Sequence, residues 1–126
     1  MNIVDSSLWL EYFAGTDTGN MVSKTIENIG ELIVPSIVLY EVFKKLLLET
    51  TEDNALFCIA HMKQGKIINL GDTLSLSVAR LGVKFKLPMA DSIIYAVTIK
   101  YEGILWTQDR HFSGLDFVKY FEKQGQ

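Results

Sequence analysis

The chain has 126 residues, of which 48% are hydrophobic and 21% charged. That size and balance indicate one domain spanning 1–126 with a real core, and exclude a disordered chain. The formal net charge of −3 lacks the basic excess of most nucleic-acid binders, so the sign alone gives no reason to expect a phosphate ligand.

NIV (2–4) reads as a short apolar strand ending at Asp5. From Ser7 the apolar spacing turns helical, with Gly15 as its stop. A second helix is expected from about Thr18 to Asn28. ELIVP (31–35) is a buried strand closed by Pro35, and Ser36 is expected to cap a long helix reaching about Thr50. Asp53 starts the next helix, which ends near Gly65. Its run ALFCIAHM holds Cys58, the single cysteine, which reads as a buried inert thiol and suits a reducing cytoplasm. In the same run, His61 is expected to face solvent or a partner. KIINL (66–70) is a third strand. Asp72 or Thr73 opens a helix carrying Leu74, Val78, Leu81 and Phe85, although LSLSV within it also alternates like a strand. Pro88 opens a helix through Tyr101 that Gly103 ends. GILW (103–106) and DFVKYF (116–121) are the fourth and fifth strands. The segment MNIVDSS has no basic stretch followed by an apolar run, so no signal peptide is expected. No window of about 18 residues is free of charge and proline, so no membrane span is expected either.

Short strands, apolar on both faces and alternating with helices, predict an α/β fold: a three-layer α/β/α sandwich around a central parallel sheet. Ligands of such sheets bind beyond the carboxyl ends of the strands. Asp5 directly follows the first strand and Asp109 lies just past the fourth. Glu41 falls in the second turn of the helix after ELIVP. Asp91 falls in the first turns of the helix that leads into the fourth strand. Asp5 and Asp109 also suit helix or turn caps. Glu41 interrupts the apolar stripe of Ile37 and Leu48. Asp91 sits in LPMADSIIYA, one position past the place a capping box would use if Pro88 is the first helical residue; the other cap reading makes Asp91 itself the cap of a helix starting at Ser92.

An unpaired ionised carboxylate among apolar groups costs several kcal/mol or takes up a proton. Four converging carboxylates repel one another. Lys44 and Lys45 are the only basic residues near Glu41 in sequence, so a divalent cation is the better remedy. Oxygen ligands without a histidine or cysteine cluster suit Mg²⁺ or Mn²⁺ rather than zinc.

The elements IVDSS, VLYEVF, LPMADSIIYA and WTQDRHF, in that order, make the chain resemble the PIN-domain ribonucleases, and in size and layout the VapC toxins of toxin–antitoxin pairs. The resemblance covers essentially the whole chain and is least marked over about 50–86. It implies an endoribonuclease dependent on one or two Mg²⁺ or Mn²⁺ ions, with Asp5, Glu41, Asp91 and Asp109 as catalytic metal ligands. Ser6 and Thr107 match supporting hydroxyls of the family. An antitoxin partner and a homodimer are further expectations of the resemblance.

The chemistry expected is hydrolysis of RNA phosphodiester bonds by metal-activated water. Removing the four acids from the net charge of −3 leaves +1, so the acidic total does not oppose an RNA substrate once metal is bound. Arg110, next to Asp109, is the foremost candidate for gripping the RNA backbone, followed by Lys44, Lys45, Lys84 and Lys86. Tyr40, Phe43 and Trp9 are candidates for base stacking, with core or interface packing as the competing role. His111 is the one histidine near the acids and is expected to be a loop residue without direct chemistry. Three other classes compete. A PIN-like module without catalysis would serve in binding, and the presence of all four acids argues against it. A receiver-type signalling domain would carry an acidic pair after the first strand. An aspartate-nucleophile phosphatase would carry a second acid at position 7, where Ser7 stands.

Overall fold

The computed structural model describes residues 1–123. Along the chain run β1 (Asn2–Val4), α1 (Ser6–Ala14), α2 (Asp17–Glu27), β2 (Leu32–Pro35), α3 (Ser36–Glu49), α4 (Glu52–Met62), β3 (Lys66–Ile68), α5 (Asp72–Phe85), α6 (Met89–Lys100), β4 (Ile104–Thr107) and β5 (Val118–Tyr120). Two single 3-10 turns, Ile29–Glu31 and Arg110–Phe112, precede β2 and follow β4.

The strands form one parallel sheet in the order β3-β2-β1-β4-β5. With helices packed over it, the molecule is the expected α/β/α sandwich. The central strands are mostly apolar because both their faces are covered. Ile3, Val4, Ile33, Val34 and Leu105 are completely buried, and each such side chain contributes about 1.5–3 kcal/mol by leaving water. The chain lays down β1, β2 and β3 in one direction, then crosses back to place β4 on the other side of β1. This reversal opens a crevice between the carboxyl ends of β1 and β4, the place where such sheets bind ligands. The Asp5 N–H donates to the Trp106 carbonyl at 2.9 Å and ties the two ends together.

Helix α6 is apolar on nearly every side because it is enclosed. Asp91 through Thr98 are all buried, against α5, α3 and strands β1, β2 and β4. It crosses α5 closely at Gly82, where a Cβ would stand 2.9 Å from Ser92 Oγ. Helices α1 and α2 also meet tightly. A Cβ on Gly19 would stand 2.2 Å from the Glu11 carbonyl oxygen.

Several boundaries differ from the sequence reading. Ser36 is the first helical residue of α3 and caps nothing; the cap position is the extended Pro35, which offers no side-chain acceptor. Pro88 likewise sits at the cap position of α6, and helix begins at Met89. Helix α4 begins at Glu52, because Thr51 accepts from the Asn54 N–H at 3.2 Å. The edge strands, each paired on one side only, are shorter than expected from KIINL and DFVKYF, at three residues each. His61 packs half-buried against the rings of Tyr12 and Phe13. Cys58 is buried and free, and burial raises its thiol above the ordinary range.

The α1–α2 crossing gives a test of the packing. Gly19→Ala should cost about 2 kcal/mol or more, because the methyl must displace backbone. Gly30→Ala, where nothing lies within 4 Å, should stay within about 0.5 kcal/mol. Urea unfolding of the two variants checks the pair.

Candidate active site

All four sequence-selected acids line one cavity of about 500 Å³ at the carboxyl edge of the sheet. Asp5 arrives from the end of β1, Glu41 from α3, Asp91 from the first turn of α6 and Asp109 from just past β4. Ser6, Ser7, Gln108 and Tyr120 complete much of the wall, with Arg110, Glu122 and Lys123 beside them.

Asp5 is 3% exposed and held at both oxygens. Oδ1 accepts from the Ser6 N–H at 2.8 Å, and Oδ2 accepts from the Thr107 hydroxyl at 2.7 Å. Asp5 therefore both caps α1 and lines the acidic cavity. Burial pushes its carboxyl above the ordinary value, the Thr107 and Ser6 hydrogen bonds oppose the rise, and the Asp109 charge adds to it. Thr107 is fully buried. Its hydroxyl donates to Asp5 while accepting from the Asp109 N–H at 2.9 Å. One side chain thus sets the position of two acids.

Asp109 likewise combines both readings. Its Oδ1 accepts from the His111 N–H at 2.9 Å and so caps the Arg110–Phe112 turn. Asp91 is no cap, since the start of α6 has no side-chain cap hydrogen bond. Instead it faces the other acids. Its carboxyl is pushed up to about 8, by burial first, then by a hydrogen bond to Asp109, and by the charges of Asp109, Asp5 and Glu41. Glu41 is raised by burial, by Asp5 and by Asp109, with the Ser6 hydroxyl partly opposing. Its buried Oε1 has no hydrogen-bond partner among the described residues.

The structure adds one residue that the sequence reading set aside. His111 Nδ1 lies 3.0 Å from Asp91 Oδ2 and 2.8 Å from Asp109 Oδ1. The spacing of Asp109 and His111 in DRHF was the available signal, but only the fold brings Asp91 against that turn. Of the basic candidates, Arg110 reaches the cavity and Lys123 joins it. Lys44 and Lys45 are outside the cavity lining. Lys44 stands over the Tyr40 ring and Lys45 pairs with Glu49 at 3.0 Å. Lys84 stands over Phe85 and Lys86 closes α5 in a left-handed conformation at φ 55°. Trp9 is fully buried and stacks on Phe13, so it is core; Tyr40 is exposed.

Four carboxylates on a partly open wall, one with an unpartnered buried oxygen, are hard ligands without compensating cations of their own number. They fit Mg²⁺ or Mn²⁺.

An acid-lined cleft at the switch point of a parallel sheet is a site class shared by several hydrolases and phosphoryl-transfer proteins. The sequence narrows this to one family: the PIN domain model matches residues 3–118, and the chain belongs to that family. No curated protein matches the sequence. Solved structures do match the fold. A toxin–antitoxin complex from Klebsiella pneumoniae aligns with TM-score 0.80 at 19% identity, over 98% of this chain and 100% of the matched one. VapBC2 from Rickettsia felis, bound to a promoter DNA fragment, aligns with TM-score 0.72 at 13% identity over 96% and 97%. A Pyrobaculum aerophilum protein aligns with TM-score 0.65 at 21% identity, over 87% of this chain and 75% of its own.

The folded state holds a proton on Asp91 up to about pH 8, whereas the ordinary value is 3.8. Without metal, the stability this proton confers is fully present below about pH 4 and is lost as pH rises to about 8. Asp91→Asn should flatten that slope and raise the metal-free Tm at pH 8 by about 3 °C or more, as read by thermal melts in chelator. A variant that melts lower instead would mark Asp91 as structural support. Thr107→Val should cost about 1–3 kcal/mol and lower metal affinity, because it strands Asp5 Oδ2 and the Asp109 N–H; Thr107→Ser should keep most of both in a calorimetric titration.

Proposed function

We propose that the protein is a Mg²⁺- or Mn²⁺-dependent endoribonuclease that serves as the toxin of a toxin–antitoxin pair. The observation carrying the reading is the convergence of Asp5, Glu41, Asp91 and Asp109 on one cavity with no equal number of cations to balance them. Family membership supports it, since PIN domains are generally nucleases.

Asp5, Asp91, Asp109 and Glu41 would hold one or two ions. A bound ion supplies activation of water and neutralisation of charge at the phosphate. The remaining work belongs to the chain. Thr107 and the Ser6 N–H fix Asp5 before substrate arrives, and such preorganisation removes the need to reorganise during reaction. Glu41 offers a buried oxygen with no hydrogen-bond partner among the described residues. Arg110 and Lys123 give the cavity positive groups that suit an RNA backbone. Tyr120 offers an aromatic face in the same wall.

The antitoxin partner and the homodimer belong to the same reading. Two of the similar structures are toxin–antitoxin complexes, and this chain exposes Leu48, Phe57 and Tyr40, apolar groups of the kind interfaces use. No helix of the described residues is long and apolar enough to cross a membrane, in keeping with a cytoplasmic toxin.

Purified protein without a partner, incubated with a pool of structured and single-stranded RNAs, should cleave with Mg²⁺ or Mn²⁺ and not with chelator. Asp91→Asn should lower the rate by at least about 100-fold. A folded, metal-loaded protein that cuts nothing in a broad pool would instead favour a PIN domain acting through binding alone.

A further inference from the structure

His111 offers a ring nitrogen that lies within 4.8 Å of carboxylate oxygens of Asp91 and Asp109, and these contacts set it apart from the other side chains of its turn. Its Nδ1 contacts Asp91 and Asp109 at once, at 3.0 and 2.8 Å. Each contact uses one oxygen of its carboxylate, Oδ2 of Asp91 and Oδ1 of Asp109. The imidazole is 57% exposed and does not line the cavity that the four acids enclose. It therefore approaches the acid pair from beside the cavity. Asp91 and Asp109 come from separate elements, α6 and the turn after β4; a hydrogen bond joins their carboxyls, and their charges oppose each other when both are ionised. Nothing in either element alone would keep their free oxygens at a fixed separation.

The turn itself fixes the histidine. Asp109 Oδ1 accepts both the His111 backbone N–H at 2.9 Å and the ring contact, and neighbouring Phe112 is fully buried against Tyr95 of α6. The turn is thus anchored to the helix that carries Asp91, and the ring spans the gap between them.

We propose that His111 is a positioning residue of the metal centre. Its Nδ1 holds one oxygen of Asp91 and one of Asp109, and so presents their other oxygens toward the cavity at a set distance. Ligating carboxylates held by outer partners typically lose 10–100-fold in metal affinity when such a partner is removed. The proposal rests on the metal-dependent reading above. It differs from a role as ligand, in which the imidazole nitrogen would bind the ion, and from a role as competitor, in which the ring would occupy the ion's place.

The test is Mn²⁺ titration of chelator-treated protein by calorimetry, with electron spin-echo spectroscopy of the Mn²⁺-loaded form. His111→Ala should weaken Mn²⁺ binding about 10–100-fold. His111→Asn, whose amide nitrogen falls near the place of Nδ1, should restore most of the loss. His111→Gln, whose amide falls near Nε2, should not. The wild-type spectrum should show no directly coupled nitrogen. Unchanged or tighter Mn²⁺ binding in His111→Ala overturns the proposal, as does a directly coupled nitrogen that the substitution removes. Should the alanine variant fail to fold, the asparagine and glutamine variants still decide it: equal affinities overturn the positioning role. Failure of the underlying metal reading looks different. Wild type would then bind no Mn²⁺, or Asp91→Asn would bind as tightly as wild type.

Discussion

Like-charge repulsion at the carboxyl edge of the sheet is the constraint around which the rest is arranged. Four carboxylates face one cavity, three of them raised by burial and by one another. A fold that aimed only at stability would not gather them. The structure tolerates the arrangement through local devices: the Ser6 N–H and Thr107 hydroxyl on Asp5, the His111 contacts between Asp91 and Asp109, and a proton held by Asp91 without metal. Each lowers the cost of holding the acids in place; none provides the double positive charge that a divalent ion would.

The sheet topology decides where this cost falls. The reversal of strand order between β1 and β4 opens the crevice, and the first residues beyond those two strands include Asp5 and Asp109. Thr107, the last residue of β4, is close enough to serve both. Asp91 is brought in by α6 as the first residue of its buried run, Asp91 through Thr98. Rigid apolar elements thus position polar ends, which is how a site can be held ready before its ligands arrive.

Much of this was legible in the chain. NIV followed by Asp5, ELIVP followed by helix, and the apolar α6 with one acid in its first turn together specify a parallel sheet with acids at one edge, because burial on both faces leaves little else for such strands to form. The resemblance of the four acidic elements to PIN domains is borne out by the family match. What was not legible depended on contacts between distant segments. Asp5 and Asp109 each cap a helix or turn and also line the acidic cavity, a choice that spacing presents as exclusive. His111 gained its place only when the turn after β4 packed against α6. Lys44 and Lys45 were near Glu41 in sequence, but helical geometry turns them to other partners, Tyr40 and Glu49. Strand ends at β3 and β5 were overestimated because an apolar run does not reveal that it lies at an edge.

The most direct test of the account is the proton released when metal binds. Mn²⁺ titrations at pH 7, in buffers of differing ionisation enthalpy, count protons by calorimetry. Metal binding must displace the proton that Asp91 holds up to about pH 8. Protons should leave at pH 7, the number should fall as pH rises past about 8, and Asp91→Asn should release about one proton fewer than wild type. Tight binding with no proton released at pH 7, or the same release from Asp91→Asn, would contradict the claim that a metal ion relieves the repulsion among these acids.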